Sequence, residues 1–372
     1  MNIETNPQAQ DAGGAKVRTG IADCDIHPSP RDFEKEVYPF LETRWQRYIE
    51  SYGMVQRVGF MGGTQYPKGQ PRASRRDSFP PGGGGPGSDL AFMRQQHLDP
   101  HNVELGVMIP LRVGQQILNI DLAIAICSAM NDWQIAEWTS QEPRLKGSIL
   151  TAYQDAGAAV REIERHAGKD DFVQVSMLSR TPEPMGNRMY WPIYEAAAAA
   201  GLPVGVHAFG YGGTPVTGGG WPSYYMEDMM AHSQSCQALI TSMVFEGVFE
   251  RIPGFRLVIV EAGIAWLPAL AWRLDAIWRK NRGELTAVKR PPSDYIRECI
   301  WLTSQPIEEP DTRQHLVDAI DWIGWDRVLY ASDYPHWDFD DPQQVLPVKL
   351  TRAQRDNFFR DNAFSAYGLS DG

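Results

Sequence analysis

The 372-residue chain has no uninterrupted apolar run of the roughly 18 residues that a membrane helix needs, so no membrane span is expected. Cysteine is scarce. Cys24, Cys127, Cys236 and Cys299 are scattered and form no CxxC pair, which leaves a reduced, cytoplasmic protein as the simplest expectation. Positive charge is short too: 35 Lys and Arg stand against 46 Asp and Glu, a net charge of -11. That balance argues against nucleic acid as the main partner. The first residues, Met1 to Lys16, are polar and rich in Gly and Ala, without the apolar stretch of a secretory signal. No GxGxxG follows the first strand-like run, so a doubly wound sheet would lack its phosphate loop. Flavin motifs, iron–sulfur motifs and internal repeats are missing as well.

What is present is alternation. Short apolar runs predict strands over 20–26, 103–109, 146–152, 172–177, 203–206, 255–260, 299–303 and 327–331. Helical patterns over 116–138, 158–166, 191–200, 233–250, 266–280, 314–322 and 351–358 fall between or after them. Eight strands alternating with helices predict a (β/α)8 barrel, a TIM barrel, with parallel strands. Residues 1–18 are expected to be a flexible tail ahead of a single barrel domain over 19–372. Two Gly- and Pro-rich stretches, 53–89 and 210–221, follow the first and fifth strands. Both belong on the face where barrels keep their active sites, as lids or contact surfaces.

The chemistry-bearing residues cluster at strand ends. Asp25 and His27 are two apart, so both point to one side of an extended strand and can share a metal. The bland alternative is a capping Asp and a hydrogen-bonded His. His207 ends the fifth strand and faces the same mouth. Glu261 follows an apolar strand, where a carboxylate is costly to bury unless it binds a metal or pairs with an arginine such as Arg180 or Arg273. Asp333 ends the eighth strand and can ligate a metal or take a proton from metal-bound water. His336, three residues on, is a further ligand, a supporting group or a surface histidine. His232 opens the helix after the second Gly-rich stretch, and its role is open. His97, His101, His166 and His315 lie away from strand ends and are set aside. Arg112 and Arg180, just after the second and fourth strands, are candidate anchors for a substrate carboxylate. Trp221 and its aromatic neighbours could line an apolar entrance for a small organic substrate.

Five segments together resemble the amidohydrolase-related barrel family, in its aminocarboxymuconate-semialdehyde decarboxylase-like branch. They are Asp23-Cys-Asp-Ile-His-Pro28, the run from Trp191 to His207, Gly247 to Leu257, Glu261-Ala-Gly-Ile-Ala-Trp266 and Ala331-Ser-Asp-Tyr-Pro-His336. The resemblance runs from about Ile21 to Tyr367 and implies metal ligands at Asp25, His27, His207 and Asp333. It also implies association as a homo-oligomer or with a related barrel subunit.

Two departures change the expectation. The family pattern HxH has Asp25 at its first position here, and Glu261 stands where decarboxylases of this branch often carry a catalytic histidine. Both replace imidazole by carboxylate. Three carboxylates with His27 and His207, and with His232 and His336 as further candidates, exceed what a four-coordinate zinc needs, and suit iron or manganese. The set is similar to that of the family's dinuclear non-haem oxygenases. The resulting expectation is a monooxygenase with two Fe or Mn ions, Glu261 and Asp333 in the chemistry, and an external electron donor. The alternative is a hydrolase or non-oxidative decarboxylase using one Zn or Mn.

Overall fold

A computed structural model describes residues 20–54, 68, 73–111, 114–210 and 215–370. Among them, one sheet of eight strands runs in sequence order: β1 (Ile21–Ile26), β2 (Val103–Met108), β3 (Leu145–Leu150), β4 (Phe172–Arg180), β5 (Val204–Gly210), β6 (Leu257–Ile259), β7 (Ile300–Thr303) and β8 (Val328–Leu329). Every neighbouring pair is parallel. The sheet curls until its ends meet. Cys24 N–H donates to Tyr330 O at 3.0 Å, and His27 N–H donates to Tyr334 O at 2.8 Å. Helices occupy each crossover, so the architecture is a (β/α)8 barrel, as the alternation predicts.

Two apolar layers hold it. Inside, Ala22, Leu105, Val173, Val258, Trp301 and Leu329 come from six different strands and pack together with Tyr367 of the C-terminal helix. Only a closed sheet brings those strands to one centre. Outside, alternate strand positions such as Val175, Val206, Ile259 and Leu302 pack against the helices. Both faces of each strand are therefore apolar, which is why the strands read as continuous hydrophobic runs.

Local chemistry sets the helix starts. The Asn119 side chain accepts from Leu122 N–H at 3.3 Å and opens the helix Ile120–Gln134. Asp155 does the same for Ala156–His166, accepting from Ala158 N–H at 2.8 Å. The helix after β5 begins earlier than its sequence pattern predicts, at Tyr225, because Glu227 accepts from the Tyr224 N–H at 3.0 Å. It breaks at Phe245, and Gly247, with φ +77°, starts a short separate turn. β8 is shorter than predicted, two residues long, and β4 is longer, ending at Arg180. Helices at Thr43–Tyr52 and Pro292–Cys299 have no counterpart in the sequence pattern. The predicted tail over 1–18 lies outside the described residues. No helix among the described residues is long and apolar enough to cross a membrane.

Leu302 is fully buried on β7, whereas Leu118 is 49% exposed. Urea unfolding should show Leu302→Ala losing about 2–5 kcal/mol and Leu118→Ala staying within about 0.5 kcal/mol of the parent.

Candidate metal centre

The C-terminal strand ends deliver a cluster of ionisable groups to one buried point. Asp25 is on β1 and His27 is one residue beyond it; His207 is within β5; Glu261 is two residues past β6. All four are at most 4% exposed. Each offers one ligand atom, and those atoms lie within 4.8 Å of one another. Two further groups overlap the first: His27, Asp333 and His336, and Glu261, Asp333 and Asp338.

Backbone carbonyls orient the two imidazoles. His27 Nδ1 lies 2.7 Å from Ile109 O, and His207 Nδ1 lies 2.8 Å from Ala208 O. Each Nδ1–H is spent on its carbonyl, so each Nε2 turns to the carboxylates. His27 Nε2 lies 3.1 Å from Asp25 Oδ1 and 2.8 Å from Asp333 Oδ1. His207 Nε2 lies 2.8 Å from Glu261 Oε2. Glu261 therefore faces an imidazole rather than either arginine considered for it.

Two of these residues sit in strained backbone. Glu261 has φ +57° and Asp333 has φ +61°, the left-handed region that non-glycine residues rarely occupy. Such strain costs about 1–3 kcal/mol per residue and collects at functional sites. Glu261 N–H is held by Thr303 Oγ1 at 3.2 Å, and Asp333 N–H by Asp25 O at 3.1 Å. A glycine guards the approach. Gly87, with φ +71°, passes so close to His27 that a Cβ would come within 2.2 Å of the His27 carbonyl oxygen. This part of the first Gly-rich stretch thus lies over the centre. Gly85 and Pro86 line a cavity of about 350 Å³ together with His27, Phe33, Met130 and His336.

Burial and mutual charge decide the protonation states. Burial pulls His27 down, but the Asp25 and Asp333 carboxylates together hold the imidazole well above its usual range. Burial pushes Asp25 up, and the His27 and His207 imidazoles bring it below its ordinary value. Burial also lowers His207, and Glu261 with Asp25 more than restores it. Asp333 is driven up to about 8 by burial and then by the Glu261 carboxylate. Asp338 rises to about 8 through burial and the carboxylates of Asp333 and Glu261. His336 falls to about 4 through burial and the positive charge of His27, whose ring centroid lies 4.5 Å away. His336 Nδ1 and Asp333 Oδ1, 2.5 Å apart, are therefore a neutral imidazole meeting a neutral acid near pH 7.

These residues fit a cation. Asp25 Oδ1 and Oδ2, His27 Nε2 and Glu261 Oε2 are sealed from water and make no well-formed hydrogen bond among the described residues. Four inward-facing lone-pair atoms of mixed oxygen and nitrogen type, in reach of one point, form a metal-ligand set.

Other expected site residues fall elsewhere. His232 lies in the second turn of the helix Tyr225–Phe245, not at a helix start, and belongs to none of the three groups. Burial and then Arg180 depress it to about 3. Arg180 ends β4 with Nη1 3.9 Å from Asp228 Oδ1. It lines a groove of about 900 Å³ that shares no lining residue with the cavity over His27. Trp221 is 58% exposed and lines neither space. Arg112 lies outside the described residues, as do 55–67, 69–72 and 211–214 of the Gly-rich stretches. Sequence reasoning missed Asp338 and Gln305. Gln305 Nε2 donates to Asp333 Oδ2 and to Asp338 Oδ2, at 3.2 Å each. The acidic run after Asp333 was the available signal.

A family model described as Amidohydrolase matches residues 22–369. The chain belongs to the amidohydrolase family. Gamma-resorcylate decarboxylase of Polaromonas sp. (strain JS666) is 26% identical over 293 residues, 76% of this chain and 88% of that protein. The 2-amino-3-carboxymuconate-6-semialdehyde decarboxylase of Dictyostelium discoideum is 23% identical over 286 residues, 74% of this chain and 76% of that one. Among solved structures, 5-carboxyvanillate decarboxylase of Novosphingobium aromaticivorans, complexed with manganese, superposes with a TM-score of 0.70 at 18% identity, covering 96% of this chain and 98% of that one. At that identity the likeness concerns the amidohydrolase-family fold.

These relatives overturn the monooxygenase expectation, because the named ones are decarboxylases. The second metal and the external electron donor lose their basis with it. The physical reason lies in the overlap. Three carboxylates suggested two cations, but the ligand groups found among the described residues share His27, Glu261 and Asp333.

Stability should follow the same shifts. Asp333 and Asp338 bind protons in the folded chain up to about pH 8, while their unfolded value is 3.8. His27 and His207 are also raised. The folded state then holds more protons than the unfolded one, so stability falls as pH rises through the folded pKa values. Below pH 6.5 the depressed His336 and His232 oppose this trend. Thermal melts of chelator-treated protein should therefore show Tm falling between about pH 6.5 and 8. Added manganese should lessen that fall, since a bound ion displaces the protons of His27 and His207. A flat or rising Tm in the chelated protein would contradict these assignments.

Proposed function

We propose that the chain is a metal-dependent, non-oxidative decarboxylase of small aromatic acids, working with one divalent ion, manganese or zinc. The observation that carries this reading is the single overlapping ligand set beneath the cavity over His27. A ligand sphere of about 2.1 Å radius spans about 4.2 Å, close to the 4.8 Å that bounds Asp25, His27, His207 and Glu261. The other two groups reuse His27, Glu261 and Asp333, so they extend one centre rather than build another. The decarboxylase relatives, and a manganese-bound dihydroxybenzoic acid decarboxylase from Polaromonas sp. with TM-score 0.66 at 21% identity, support the class.

When bound, a divalent ion supplies Lewis acidity to a substrate oxygen. The chain's own residues do the rest. Pro28, Phe33, Leu111 and Met130 give the cavity an apolar wall, and about 350 Å³ admits one substituted ring. Loss of carbon dioxide breaks a carbon–carbon bond and leaves its electron pair on the ring carbon. That carbon then takes a proton. Asp333 is the donor, oriented by His336 at 2.5 Å and Gln305 at 3.2 Å. No electrons leave the substrate, so neither oxygen nor a reductant is consumed.

Manganese-loaded protein held under nitrogen with dihydroxybenzoates and carboxyvanillates should release carbon dioxide. Asp333→Asn should lower kcat by about 10²–10⁴-fold, the range for a lost general acid. Turnover that appears only when oxygen is admitted would overturn the reading, as would no turnover of any aromatic acid.

A further inference from the structure

Behind the metal-facing groups lies a second buried cluster that takes no part in the ligand set. Asp23 is fully buried on β1, and His97, 1% exposed, comes from the π-helical turn Arg94–Leu98 ahead of β2. Asp23 Oδ2 lies 2.7 Å from His97 Nε2 and accepts from Ser332 Oγ at 2.5 Å. Asp23 Oδ1 accepts from Ser332 N–H at 2.9 Å and Asp25 N–H at 3.3 Å. A buried carboxylate persists only when its oxygens are fully paired, and these four contacts do that.

The identity of the two backbone donors matters more than their number. One belongs to Asp25, a metal-facing residue on β1. The other belongs to Ser332, the residue before Asp333. A single carboxylate oxygen thus spans both sides of the barrel's closing seam, and the Asp333 N–H to Asp25 O bond at 3.1 Å completes a ring. The seam needs such a tie. β8 is only two residues long, and beyond it Ile26 of β1 makes just an isolated bridge to Tyr334. His97 braces the same seam from outside. Its ring stacks on Tyr334 at 4.7 Å and 11°, and Tyr334 OH donates to the neighbouring Gln96 Oε1 at 2.9 Å. Single π-helical turns of this kind often serve to place functional side chains.

We infer that Asp23 and His97 are a positioning pair that fixes the separation of Asp25 and Asp333 across the β1–β8 seam, and thereby the geometry of the metal centre. The inference rests on the metal reading above, not on the identity of the substrate. Neither residue touches the ligand atoms, so their influence passes through the backbone of Asp25 and through Ser332.

His97→Phe keeps the stack on Tyr334 and removes the donor, and His97→Gln restores an N–H. Ser332→Ala removes one contact to Asp23 and serves as a milder second variant should His97→Phe fail to fold. Manganese affinity is read from the free-ion electron paramagnetic resonance signal, and coordination from the visible bands of the cobalt-substituted protein. His97→Phe should weaken manganese binding by about 10- to 100-fold and shift the cobalt bands, with His97→Gln recovering most of both. Ser332→Ala should change both in the same direction. Folded variants that lose only melting temperature, with parental manganese affinity and an unshifted cobalt spectrum, would overturn the inference. Failure of the parent protein to bind manganese would remove it together with the metal reading. A parent that binds manganese but decarboxylates nothing would sink the proposed substrate chemistry alone.

Discussion

Placing Asp25, Glu261 and Asp333 in one dry pocket is the constraint on which the rest of this structure depends. Like charges buried this close repel strongly, and burial weakens solvent screening. The folded chain answers in two ways. It sets imidazoles against them, raising His27 and His207 while lowering Asp25. It also holds a proton on Asp333 and Asp338, both near 8. Both answers are substitutes for a cation at the point where Asp25, His27, His207 and Glu261 converge.

The barrel makes that crowding possible. The ligands come from the ends of β1, β5 and β6, and the strands are locked by apolar packing on two faces. Glu261 and Asp333 hold positive-φ backbone while hydrogen bonds from neighbouring strands tie down their N–H groups. Strain at those two residues is therefore stored by the core around them. The seam between β1 and β8 is the weakest part of the cylinder in regular pairing, and it is where a side chain, Asp23, takes over from the backbone ladder.

Much of this was legible in the residues. Continuous apolar runs located all eight strands, because strands buried on both faces lose their alternation. Strand ends then located Asp25, His27, His207, Glu261 and Asp333. Other features were not legible, for physical reasons. His97 comes from a helical turn distant in sequence from Asp23, so no local period links them. His232 was displaced because a Glu227 cap extends its helix to Tyr225. Assigning the carboxylates to two cations was the most consequential error, since their convergence is set by tertiary structure. A family resemblance supplied the ligand positions, but only the folded geometry showed the ligand groups to overlap.

The central claim is that these carboxylates and imidazoles form one metal centre. Elemental analysis of protein produced with manganese, zinc and iron all supplied tests it most directly, with the metals counted per chain. The account predicts close to one divalent ion per chain. Two ions per chain would contradict it, and so would a chain that holds none.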